Sequence, residues 1–92
     1  MKKLAIVGAG MISWSHAEAI QSLPDAKLCA VVDTNEIAAS KLAHSYYCRF
    51  YTDVEGMLQS EDLDVVIICL PTFLHEKYVR FFTWRNYYFI IQ

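Results

Sequence analysis

Three short stretches of the chain are apolar at nearly every position: residues 3–7 (KLAIV), 28–32 (LCAVV) and 65–70 (VVIICL). Runs without polar alternation suit strands covered on both faces, the condition of a parallel sheet. Between them the apolar positions recur at helical intervals. Ile12, His16, Ala19, Ile20 and Leu23 are spaced by three and four, and Pro24-Asp25 then ends the helix. A second helix is predicted over 35–45, with Ile37, Ala38, Lys41 and Leu42 on one side. Phe50 and Tyr51 read as a short third strand, and Thr52 or Asp53 can cap a helix over 54–59 whose Val54, Met57 and Leu58 face inward. After Pro71, Thr72 can cap a helix beginning near Leu74, where Leu74, Tyr78, Phe81, Phe82 and Arg85 share a face. Asn86 suits the residue just past a helix end, and residues 87–91 (YYFII) read as a fifth strand. The alternation is the βαβ signature and predicts an α/β fold, a parallel sheet of about five strands with helices between them.

Length and charge narrow the function. Ninety-two residues make one small domain and exclude a large self-contained enzyme. With 55% apolar residues, 20% charged residues, three glycines and two prolines, the chain is neither disordered nor fibrous. Eight Lys and Arg against ten Asp and Glu give a net charge of −2, no basic field for a nucleic acid partner. Cys29, Cys48 and Cys69 match neither a CxxC metal pair nor a secreted disulfide framework; they read as reduced thiols of a cytoplasmic protein, and no metal site is assigned. No apolar run approaches the roughly 18 residues that cross a bilayer, so no membrane association is expected. Met1-Lys2-Lys3 followed by an apolar stretch has the outline of a secretory signal, but Gly8 and Gly10 interrupt it at a spacing with a better explanation.

That explanation is chemical. Gly8-Ala9-Gly10-Met11-Ile12-Ser13 follows an apolar strand and opens a helix, as in G-x-G-x-x-[G/A/S]. Gly8 permits a tight turn, Gly10 lets a pyrophosphate approach the backbone, and small Ser13 allows close packing of helix on strand. The helix amides and dipole then face the phosphates. Asp33 stands at the end of the second strand, 23 residues after Gly10, where a carboxylate can accept from both hydroxyls of an adenosine ribose. It would also repel a 2′-phosphate, and no Lys or Arg follows until Lys41, which favours NAD over NADP. The alternative is that Asp33 only caps the next helix.

These residues, with His16, Val31-Val32-Asp33, Tyr51-Thr52-Asp53, the run from Asp64 through Val65-Val66-Ile67-Ile68-Cys69-Leu70-Pro71-Thr72, and His75, resemble the Gfo/Idh/MocA oxidoreductases. The family takes its name from glucose-fructose oxidoreductase and inositol dehydrogenase. The likeness runs ungapped over about residues 3–92. It implies that residues 1–92 are a dinucleotide-binding Rossmann domain, a doubly wound parallel sheet of about five strands in the order 3-2-1-4-5 with helices on both faces, joined in the family to a second domain holding a sugar or polyol substrate and the subunit interface. It further implies that Gly8, Ala9, Gly10, Met11 and Ile12 line the pyrophosphate. Asp33 and Thr34 would meet the adenosine ribose, and Leu70, Pro71, Thr72 and His75 border the nicotinamide side. Three of these residues have a plainer reading: His75 can bond the backbone of its own turn, His16 can be a packed helix residue, and Cys69 a small buried hydrophobe.

Family members continue past the fifth strand into Glu-Lys-Pro, whose lysine contacts substrate. Gln92 takes the place of the glutamate, and the chain carries neither that lysine nor the later histidine or aspartate used as acid or base. The expectation is a cofactor-binding chain with no catalytic residue of its own; the alternative is a non-catalytic nucleotide-binding or self-associating remnant. Six aromatics lie from Phe81 onward: Phe81, Phe82, Trp84, Tyr87, Tyr88 and Phe89. Either the helix and strand bury them, or part of the set stays uncovered and offers a route to a homo-oligomer.

Overall fold

Leu4 to Val7 have less than a tenth of their surface exposed because helices cover both sides of the strand that carries them. The computed structural model describes residues 1–85 and 87–91. Its elements are β1 (Lys2–Val7), α1 (Met11–Gln21), β2 (Ala26–Val32), α2 (Glu36–Ser45), β3 (Arg49–Tyr51), α3 (Val54–Ser60), β4 (Val65–Ile68), a 3₁₀ turn (Thr72–Leu74), α4 (His75–Trp84) and β5 (Tyr88–Ile91). The five strands form one sheet in the order β3-β2-β1-β4-β5. Every neighbouring pair is parallel. The expected order and class are therefore those of the molecule. The predicted features at Asn86 and Gln92 lie outside the described residues.

The core has two halves, one on each side of the sheet. On one side Leu4, Ile6, Leu28, Val31 and Ile67 meet Ala17 and Ile20 of α1 and Leu42 and Ala43 of α2. On the other, Ala5, Val7, Ala30, Val32, Val66 and Ile68 meet Met57 of α3 and Phe82 of α4. The two sets alternate along β1 as pleating requires. In β2 the register with β1 shifts between Leu4↔Leu28 and Ala5↔Ala30, an irregularity that skips Cys29.

Helix faces correct the sequence reading in detail. Ser13, Ala17 and Ile20 form the buried stripe of α1, while Ile12 and Leu23 are about half exposed. The sheet presents a nearly flat surface of Val, Ile and Ala, and small residues bring the helix closest to it; larger Ile12 is left at the rim. In α2, likewise, Ala39, Leu42 and Ala43 point inward and Ile37 outward. Asp53 rather than Thr52 caps α3, its Oδ1 accepting from the Gly56 N–H at 2.6 Å. Thr72 caps nothing: the 3₁₀ turn intervenes, and α4 starts without a side-chain cap. Among the described residues, no helix is long and apolar enough to cross a membrane.

Candidate functional site

The chain leaves β1 and enters α1 through Gly8-Ala9-Gly10, at the centre of the sheet where β2 lies on one side and β4 on the other. This is the position at which successive strands depart in opposite directions, and it leaves a crevice beyond their C-terminal ends. Gly8 has φ +105°, and a Cβ built on it would lie 2.3 Å from the Cys69 carbonyl oxygen. Both the backbone and the neighbouring strand exclude any side chain there. Its N–H donates to the Val32 carbonyl at 2.7 Å. Its own carbonyl accepts from the Ser13 hydroxyl at 2.8 Å. Ser13 is fully buried, so its hydroxyl meets a partner in the turn as well as allowing the close packing expected of a small residue. Burial raises the Cys69 thiol above its ordinary range, and the Ser13 hydroxyl beside it opposes that shift. A neutral, packed sulfur is the result.

Gly10 is the N-cap of α1, with φ −80° and ψ −171° and no side-chain cap. A Cβ there would meet nothing within 4 Å, so the approach to this backbone is open. The Ser13 N–H turns back to the Gly10 carbonyl at 3.1 Å. The N–H groups of Gly10, Met11 and Ile12 lie where a helix has no acceptor of its own, and no acidic residue occupies the first turn. That combination suits an anion. Met11 and Ile12 are exposed beside it.

Asp33 follows β2 and reaches back to this turn. Its Oδ2 accepts from the Ala9 N–H at 2.8 Å, and its Oδ1 accepts from the Asn35 N–H at 2.9 Å. The helix cap itself is Asn35, whose Oδ1 accepts from the Ala38 N–H at 3.1 Å. Asp33 is thus not the cap of α2. Ala9, with its side chain in the core and its N–H on Asp33, belongs to the support of the turn.

A cleft of about 180 Å³ opens next to Asp33. It is lined by Val7 and Val32 at the strand ends, by Asp33, Thr34, Thr52, Asp53 and Val54 after β2 and β3, and by Leu70, Leu74 and Tyr78 after β4. The lining mixes polar side chains with apolar ones, which suits a nucleoside. The fold brings together Gly8, Gly10, Asp33, Thr34 and Leu70 from three loops. Pro71 and Thr72 are exposed on the turn that follows Leu70, and the His75 Nε2 lies 2.7 Å from the Leu70 carbonyl, the backbone contact that was its plainer reading. His16 is half-buried on α1. Sequence reasoning did not single out Thr52, Val54, Leu74 and Tyr78 as site residues. The strand order was the available signal, since placing β3 beside β2 puts Thr52 next to Asp33. A larger cavity, about 260 Å³, lies between Lys27, Cys29, Tyr47 and Arg49 near the starts of β2 and β3, away from the glycine turn.

Beneath β3, Glu61 is buried and accepts from Arg49 Nε at 2.5 Å, from Arg49 Nη2 at 2.9 Å and from the Tyr51 hydroxyl at 2.5 Å. Hydrogen bonding from Arg49 holds the Glu61 carboxyl below the usual range, against the opposing effect of burial. Burial, followed by Glu61, raises the Tyr51 phenol. This clamp fixes the strand whose end carries Thr52 and Asp53 into the cleft.

A family model described as an oxidoreductase family with an NAD-binding Rossmann fold matches residues 2–91. The chain belongs to the Gfo/Idh/MocA oxidoreductase family. It is 35% identical over 80 residues to an inositol 2-dehydrogenase of Rhizobium meliloti, covering 87% of this chain and 24% of that protein. A solved structure from Sinorhizobium meliloti 1021 superposes with a TM-score of 0.91 at 31% identity, over 99% of this chain and 27% of the other. A dehydrogenase of Chromobacterium violaceum, solved with NADH and UDP-GlcNAcA, gives 0.92 at 25% identity over 98% and 26%. This Gfo/Idh/MocA chain therefore spans about a quarter of the length of the relatives it matches. It is the NAD-binding Rossmann domain of that family.

Proposed function

We propose that residues 1–92 bind NAD in preference to NADP, with the pyrophosphate on Gly10, Met11 and Ile12 and the adenosine ribose on Asp33 and Thr34. The observation that carries this reading is the Asp33 carboxylate, held within hydrogen-bond reach of the glycine turn at the mouth of the cleft. A carboxylate carries about four acceptor sites, so ribose hydroxyls can share oxygens already bonded to Ala9 and Asn35. A 2′-phosphate placed there would meet like charge. Leu70, Pro71 and Thr72 border the nicotinamide side, with His75 holding the Leu70 carbonyl behind them. When bound, the nicotinamide supplies hydride chemistry; this chain positions it and shields one side with the turn after β4. Hydride transfer with a sugar or polyol alcohol is proposed for the longer arrangement seen in relatives such as the inositol 2-dehydrogenase, whose remaining three quarters would hold the substrate.

Calorimetric titration tests the reading. NAD is expected to bind, and NADP at least about tenfold more weakly, as loss of one favourable charged contact implies. Asp33→Ala should weaken NAD by about 1.5–3 kcal/mol. No heat at millimolar NAD, from a chain that circular dichroism shows to be folded, would reject NAD binding. Equal affinities for the two dinucleotides would reject the preference.

A further inference from the structure

We infer that Asp33 has a second role, resting on the cofactor reading above: it is the positioning residue that holds the phosphate-binding turn in its receptive shape before any ligand arrives. Two bonds support this. The Asp33 Oδ2 takes the Ala9 N–H from across 24 residues of sequence, and Oδ1 takes the Asn35 N–H, which fixes the carboxylate plane. Ala9 lies between the two glycines, so its N–H sets the direction of the peptides leading into α1. The Gly8 N–H is already held by Val32 and the Gly8 carbonyl by Ser13. The Gly8 carbonyl and the Ala9 N–H belong to one peptide group, so Ser13 and Asp33 hold that peptide from its two sides, one residue before Gly10, where the open approach begins. A glycine-rich turn loses more backbone freedom on ordering than other segments, and a charged acceptor that orders it in advance removes that cost from binding. One carboxylate then couples the ribose end of the ligand to its phosphate end.

The two roles separate with ligands that lack the ribose hydroxyls. If Asp33 only reads hydroxyls, its removal leaves the affinity for 2′,3′-dideoxy-ADP unchanged. If it also sets the turn, that affinity falls as well. In titrations of the 92-residue chain, Asp33→Ala is expected to weaken dideoxy-ADP roughly tenfold and ADP by a larger factor, as one lost charge-assisted bond against two or more implies. By NMR, the Ala9 amide should exchange faster in Asp33→Ala while the Val66 and Ile68 amides of β4 keep their rates. A general loss of structure would instead move all three. Wild-type affinity for dideoxy-ADP in a folded Asp33→Ala chain, or an unchanged Ala9 exchange rate, overturns the inference. Should Asp33→Ala not fold, Asp33→Asn keeps one acceptor oxygen and is expected to weaken dideoxy-ADP about threefold, a fraction of the full loss; no change there overturns it equally. If the wild-type chain binds neither ADP nor NAD, the cofactor reading fails, and the Ala9 exchange rate still decides whether Asp33 holds the turn.

Discussion

Gly8 is the residue at which three strands constrain one another. Its positive φ, its N–H to Val32 and the Cys69 carbonyl facing its Cα leave no volume for a methyl group. Gly8→Ala therefore has to move either the turn or β4. The expected loss is at least about 2 kcal/mol from backbone strain alone, read as a lower urea midpoint, with NAD affinity falling alongside. A variant of unchanged stability would show that the turn relaxes freely. Gly10 makes the opposite case, because space around it is open and an alanine there should fold normally while obstructing the approach of a phosphate. The motif alone could assign these two glycines to a turn and a close approach. It could not supply the Ala9 to Asp33 bond, since contacts across 24 residues depend on how two loops are brought together.

At the scale of elements, the sequence made the strands and helices legible because each has a strong local signal: continuous apolar runs for β1, β2 and β4, and three-and-four spacing for the helices. The faces of α1 and α2 were read less well, since hydrophobic size along a helix does not reveal which stripe a flat sheet can approach most closely. Glu61 went unnoticed for a similar reason. It stands among Ser60, Asp62 and Asp64 in what looks like a solvated loop, and only the packing of β3 against that loop buries it with Arg49 and Tyr51. The clamp predicts a pH dependence. An unfolded glutamate titrates near about 4.3, and the folded Glu61 below that, so the clamp stabilises fully above the unfolded value. Its contribution is lost as pH falls from there through the depressed folded value. Glu61→Gln should cost about 1–3 kcal/mol at neutral pH and lack this slope, so the urea midpoints of wild type and variant should converge on acidification. A constant gap between them down to about pH 3 would contradict the assignment.

For the molecule as a whole, the aromatics at the C-terminal end divide into two groups. Phe82 is fully buried, stacks with Tyr78 and meets Phe81 and Tyr87 edge to face, at centroid distances of 5.2–6.3 Å, anchoring α4 on the sheet. Arg85 lies over the Phe81 ring at 4.3 Å and pairs with Glu55, tying the end of α4 to α3. Trp84 and Tyr88, by contrast, are 84% and 79% exposed, and Ile90 is 49% exposed. Uncovered rings of this size promote association. Light scattering at high protein concentration is expected to give a mass above the 10.6 kDa of one chain, and Trp84→Glu with Tyr88→Lys should return it to that value. A monomer at every concentration would argue against association through this end.

The sequence by itself determined the strands and helices and the phosphate turn with its distant carboxylate, because apolar period, turn chemistry and motif spacing are local properties that one chain carries along its length. Only the tertiary structure decided what those residues touch. The fixing of Asp33 to the glycine turn, the burial of Glu61 beneath β3, the cleft between the loops after β2, β3 and β4, and the split between covered and bare aromatics all arise from segments distant in sequence meeting at short range. Hydrogen bonds and burial at those meetings depend on distances of a few ångströms, which no local pattern specifies.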